Sequence, residues 1–312
     1  MRAWLTQATR RFLYTNTEAL LRKAVYLWCL LNFAFMLPGH REFWAPGNYI
    51  PPVEGFESYR YYFALDLLSH PALNPLYGIA AALYGVFLVL GLLGKFPKVS
   101  AVGSFVLSVV FVLRAHFIFD GGDRLMIYLL FYLCVVELLK VSWSGPCLHL
   151  MRNLAFLSVK LQVCLVYATA GLAKFGGELW PRGEALFYAL HADEYTHPWA
   201  RDLLGDQLIL LTVGTYSVVL FQLAFPLLVW NSRLRPWVVG FGTLVHLQIA
   251  LVLGIASFGF ALMVGYSAFY SDEEALRISK RLKAMAQRRL DCLGALRRIP
   301  TSASTRRMVS SG

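Results

Sequence analysis

Charge is scarce in this chain. Asp, Glu, Lys and Arg make up 15% of its 312 residues, against about a quarter in soluble domains. Cysteine motifs are missing too. Cys29, Cys134, Cys147, Cys164 and Cys292 form no CxxC and no metal-ligand spacing, which leaves thiol-redox chemistry without support. None falls in an expected outer loop, so no extracytoplasmic disulfide is expected. The first apolar run is followed by MLPGHREFW rather than a small-residue cleavage site, and it reads as an uncleaved span. No internal repeat and no soluble domain stand out. The missing repeat weakens a transporter reading. His191 and His197 are weak metal candidates, and no metal site is expected.

Apolar residues are what the chain has. They make up 58% of the sequence, and the mean hydropathy is +0.55. Several runs approach the ~20 residues that cross a bilayer core. The expected fold is all-α: a polytopic transmembrane helical bundle of about eight spans with both termini cytoplasmic. The spans are approximately Leu21–Leu37, Leu76–Leu93, Val99–Phe117, Leu125–Leu139, Leu154–Ala173, Leu208–Trp230, Trp237–Leu253 and Ser257–Tyr270. With the N-terminus inside, Lys95, Lys98, Lys140, Arg152, Arg233 and Arg235 all fall on the inner face, following the positive-inside rule. The stretch from Arg235 to Tyr270 also reads as one long bent helix, but that would put the basic tail outside.

The net charge of +11 comes from the two ends. A basic interfacial segment is expected at 1–20, followed by the membrane domain at 21–270. Residues 271–312 carry ten Lys/Arg against four acids. Ser271 can cap a helix with Asp272, Glu273 and Glu274 in its first turn. Leu276, Ile278, Leu282, Met285, Leu290 and Leu293 recur near helical spacing, so a cytoplasmic basic amphipathic helix is expected at 271–299. A solvated tail is the alternative. Residues 300–312 are expected to be disordered. Such basic flanks point to anionic lipid at the cytoplasmic face, and no nucleic-acid partner is expected.

Ionisable groups inside lipid are costly, so each needs a reason. Lys160 lies about 12 Å beyond Arg152 along its helix, a depth comparable to that of Glu137. A structural Glu137–Lys160 ion pair is therefore expected. Arg114 and His116 end the third span, with Asp120 and Asp123 in the turn after it; Arg114 is expected to pair with one of these acids. Asp66 and His70 precede the second span, and His246 lies in the seventh, as a helix–helix hydrogen bond or a catalytic group. Lys160, Tyr167, Gly171 and Lys174 are seven, four and three residues apart and share a helix face. Lys174 lies about 33 Å from Arg152, at the outer boundary, as either an anchor or a base. Trp180 and Arg182 follow in a loop that is either an aromatic anchor or a lid.

The segments RAHFIFDGGDRLMIYLLFYL and LQVCLVYATAGLAKFGGELWPRGEALFYAL resemble the HTTM (horizontally transferred transmembrane) domain, the membrane domain of vitamin K-dependent γ-carboxylases and their bacterial relatives. The resemblance runs from about Leu21 to Tyr270. It is carried by FDGGD, the YxxAGLxK helix end and W-x-x-G-x-A-L-x-Y. It implies an integral protein of the bacterial inner membrane and a reduced quinone of the vitamin K type as cofactor. It implies Lys174 as the catalytic base, with Arg114, His116, Asp120, Asp123, Tyr167, Gly171, Trp180, Arg182 and His246 as candidate pocket residues. Acting as a base at neutral pH would require desolvation or a nearby cation such as Arg114. In carboxylases a large extramembrane domain engages the protein substrate. Here residues 271–312 follow the last span, so a different substrate is expected. The alternative function is a non-enzymatic accessory for maturation or export of a secreted peptide, with a peptide or protein met on the outer side.

Overall fold

The computed structural model describes residues 2–47, 67–140, 145–194 and 196–297. Asp66 and the tail at 300–312 lie outside the described residues. All regular structure among the described residues is helical. In chain order the helices are α1 (Arg2–Ala8), α2 (Thr15–Met36), α3 (His40–Trp44), α4 (Tyr77–Leu93), α5 (Pro97–Arg114), α6 (Gly121–Leu138) and α7 (Pro146–Ala173). After them come α8 (Ala185–Leu190), α9 (Pro198–Leu204), α10 (Leu208–Leu228), α11 (Arg235–Leu251), α12 (Ala256–Tyr266) and α13 (Asp272–Arg297).

Among the described residues, five stretches are long and apolar enough to cross a membrane: Thr15–Trp44, Asn74–Leu93, Pro97–Arg114, Pro146–Gly176 and Leu208–Leu228. Helix α6 carries Asp123, Arg124 and Glu137. Helices α11 and α12 have 17 and 11 residues. Tyr26, Phe156, Tyr167 and Phe225 fill the core, whereas Phe35, Ile209, Leu227 and Trp237 stand exposed. Large apolar side chains pointing outward on many sides are costly in water and suited to lipid.

Proline starts several helices where its missing N–H costs nothing, as at Pro97, Pro146 and Pro198. Pro146 begins α7 eight residues before the expected Leu154. The stretch from Arg235 to Tyr270 forms two helices, not one bent one. Asp123, expected in a turn, instead lies in the first turn of α6, which Gly121 and Gly122 open. Asp120 caps that helix, accepting from Gly122 N at 2.7 Å and Asp123 N at 3.1 Å, while the Asp123 carboxylate accepts from Asp120 N at 3.1 Å. A side chain at Gly122 would stand 2.8 Å from Ala261 Cβ and 2.9 Å from Phe258 Cα. Its absence lets α12 cross close to α6.

The two ends of the chain are fastened together. Helix α2 has no side-chain cap from its own flank. The Asp272 carboxylate, at the start of α13, accepts from Asn16 N at 2.5 Å, Thr17 N at 3.1 Å and Asn16 Nδ2 at 2.7 Å. Glu274 takes Arg235 at 2.7 and 2.9 Å, and Arg235 also donates to Phe269 O at 2.8 Å. The segment before α2 is docked on α7. Asn153 of α7 accepts from Leu13 N and donates to the carbonyls of Ala8 and Arg11. Beyond its first turns α13 is exposed, with Leu282 and Met285 both over half accessible.

Asp272→Ala is expected to lower stability by about 1–2 kcal/mol, the range for a lost helix cap. Thermal unfolding in detergent checks this; an unchanged midpoint counts against the cap. Partial burial pushes the Glu274 carboxyl up, but hydrogen bonds from Ser271 and the Arg235 charge outweigh it and hold it below its ordinary value. Its contribution should be complete above the unfolded carboxylate pKa of about 4.3 and fade as pH falls through the lower folded value. Hydrogen exchange of α13 across pH 3–7 should lose this dependence in Glu274→Gln.

Candidate functional site

Lys174 follows α7 directly, where the helix tightens into a short turn at 174–176. Its ammonium donates to Ala170 O at 3.3 Å and lies 4.5 Å from the centre of the Trp180 ring. No carboxylate forms an ion pair with it among the described residues. The loop carrying Trp180 is pinned to α10: the Tyr216 hydroxyl donates to Pro181 O at 2.9 Å, and Leu186 N donates to Thr215 Oγ1 at 3.1 Å. Trp180 thus covers Lys174, while Arg182 turns outward and pairs with Glu178 at 2.9 Å. One turn down α7, Gly171 is closed off by α10; a Cβ there would stand 2.9 Å from Leu223 Cδ2.

Two turns below Lys174 is a buried polar chain. The Tyr167 hydroxyl lies 2.6 Å from His246 Nε2 and 2.7 Å from the Tyr266 hydroxyl. The three residues are 2–3% exposed. Either direction of proton donation along the chain leaves His246 Nδ1 without a partner. Tyr266 carried no sign in the sequence that set it apart from the other aromatic residues of α12.

The start of α6 forms a third group. Asp120 accepts from Ser257 Oγ at 2.6 Å, and Asp123 from Asn32 Nδ2 at 2.8 Å. These carboxylates cap α6 and tie it to α12 and α2, rather than forming the expected pair with Arg114. Arg114 is buried in the last turn of α5, a position where a cation suits the helix dipole. His116 lies just beyond, its Nδ1 3.3 Å from Leu113 O. Asn32 and Ser257 went unnoticed because ordinary polar residues in apolar runs show their importance only once a partner is known.

At the opposite end, the expected Glu137–Lys160 pair is not formed. Glu137 pairs with Lys140, two residues past the end of α6, and Lys140 also reaches Glu18 at 3.2 Å. Arg22 and Arg152 stand 3.7 and 3.9 Å from the Glu18 carboxylate. Lys160 instead lies 4.4 Å from the Tyr14 ring centre. The cause is the docked start of the chain: the segment before α2 places Tyr14 before Lys160, and the first turn of α2 places Glu18 before Lys140. Matching depth along two helices says nothing about rotation about their axes.

Among known proteins, the family model described as the HTTM domain matches residues 44–273. No curated protein and no solved structure matches the chain.

Lys140 separates two buried carboxylates, Glu18 and Glu137. Lys140→Met should destabilise by about 3–5 kcal/mol, because it leaves buried charge uncompensated. Adding Glu137→Gln should recover part of that loss. Folded yield in membranes is the measurement, and a double variant no better than the single one would contradict the shared-lysine account.

Proposed function

The chain belongs to the HTTM domain family and, with its apolar helices, is an integral membrane protein; from that premise we propose a γ-carboxylase-like enzyme that uses Lys174 as its base. In this reading the bundle has eight spans with both termini inside, in a bacterial inner membrane, and the Lys174 end faces outward. The substrate is a quinol or a lipid-linked group. The observation that carries the proposal is the setting of Lys174: half-buried, at the junction of a span and a pinned loop, held by one carbonyl and one aromatic ring and, among the described residues, by no carboxylate.

The residues around Lys174 fit a reduced quinone. Trp180 offers a ring plane, and the exposed side chains of Leu172 and Phe175 offer an apolar flank open to lipid. When bound, such a group would supply an acidic hydroxyl and reducing electrons. Lys174 would hold or take the proton at that hydroxyl oxygen. The Ala170 carbonyl and the Trp180 ring both favour the ammonium, so base chemistry requires Trp180 to move off Nζ. Trp180 in place would keep water from the amine, which is the lid role.

A second reading is a non-enzymatic accessory for maturation or export of a secreted peptide. It is favoured by the dispersal of the polar groups: Asp120 and Asp123 are engaged in a cap, Arg182 is paired outward, and Tyr167 and His246 are buried away from both.

Oxygen uptake with a reduced naphthoquinone, on protein purified into lipid nanodiscs, separates the two. Lys174→Ala and Lys174→Arg should both lower turnover by roughly 10²–10⁴-fold, the loss typical of a general base, at unchanged membrane abundance. Arginine keeps the charge but does not readily deprotonate. Full turnover in Lys174→Arg would sink the base, and no quinol-dependent uptake by the unaltered protein would leave the accessory reading.

A further inference from the structure

Among the described residues, two indole N–H groups inside the bundle find no acceptor. Trp44 is 1% exposed and Trp28 half-buried, and neither Nε1 has a hydrogen-bond partner there. Buried donors of this kind are costly and ordinarily satisfied. Both rings line one cavity of about 40 Å³, walled by Tyr84 and Phe111, with Asn32 and Asp123 as its polar edge. That volume accommodates about three water-sized groups. Trp28 also lines a second space, a groove of about 320 Å³ between α2 and α12 bounded by Leu27, Leu31, Phe260 and Met263. Leu27, Leu31 and Phe260 are exposed, so the groove opens toward lipid. Trp28 therefore borders both the lipid-facing groove and the cavity with unmet donors.

We propose that groove and cavity together bind an uncharged single-chain lipid whose head is one small oxygen function, a long-chain alcohol being the simplest case. The chain lies in the groove, where every side chain but Ser267 is apolar. The oxygen reaches the cavity and accepts from the two indole N–H groups. Its own proton goes to the Asn32 carbonyl oxygen, since the Asn32 amide is already donated to Asp123 at 2.8 Å. Head chemistry follows from the same residues. An anionic head would meet Asp123, an ammonium head would meet two donors, and a ring exceeds the cavity. Lys174 is no part of this site, so the proposal stands or falls apart from the base assigned above.

The test uses the full chain in lipid nanodiscs and a hexadecanol analogue with a mid-chain diazirine. Photolysis should label α2 and α12 at the groove. Unlabelled 1-hexadecanol should compete, while hexadecane and palmitate should not. Trp44→Phe and Trp28→Phe keep the rings and remove one donor each, and each should weaken competition roughly fivefold, as for one hydrogen bond. Leu31→Trp fills the groove from its exposed wall and should abolish labelling even if a cavity variant fails to fold. Equal competition by hexadecane or palmitate, even labelling over all lipid-facing helices, unweakened competition in both Phe variants, or full labelling in Leu31→Trp overturns the site.

Discussion

In lipid a polar group has to find its partner within the protein, and most of this structure follows from that constraint. Its polar contacts run between helices distant in sequence. Asp272 reaches Asn16, Asp123 reaches Asn32, Asp120 reaches Ser257, and Tyr167 joins His246 to Tyr266. Each contact fixes both the depth and the rotation of two helices at once. Apolar packing alone does this weakly, because lipid tails are as good a neighbour for Leu as another helix is.

The apolar runs make the helices legible, and the break between the spans Trp237–Leu253 and Ser257–Tyr270 matches the gap between α11 and α12. Lys174 was legible as the residue ending a long helix. Partners were far less so. The acidic first turn of α13 was read through the helix dipole, yet Asp272 serves a different helix. Glu137 and Lys160 were matched by depth, but their rotation about the helix axes sent each to another neighbour. Asn32, Ser257 and Tyr266 left no pattern, because a lone polar residue in an apolar run looks the same whether it is a bystander or half of a tie.

The shared helix face from Lys160 to Lys174 illustrates the same limit. Spacing aligned four residues, but four different neighbours meet them: Tyr14, the His246–Tyr266 pair, Leu223 and Trp180. The face is a column of separate environments rather than one channel. Any chemistry at Lys174 therefore draws on the pinned loop beside it, and the buried tyrosine–histidine chain serves first to hold α7, α11 and α12 together.

The Asp272 tie also bears on how the protein is made. Helix α2 leaves the ribosome early, and its first-turn amides wait for a carboxylate made some 256 residues later. Until then the first helix sits in the membrane with one end unfinished. A chain that stops short of α13 would carry that open end permanently. The arrival of α13 is thus recorded at the beginning of the bundle, where membrane quality control could distinguish a molecule that has made this helix from one that stops before it.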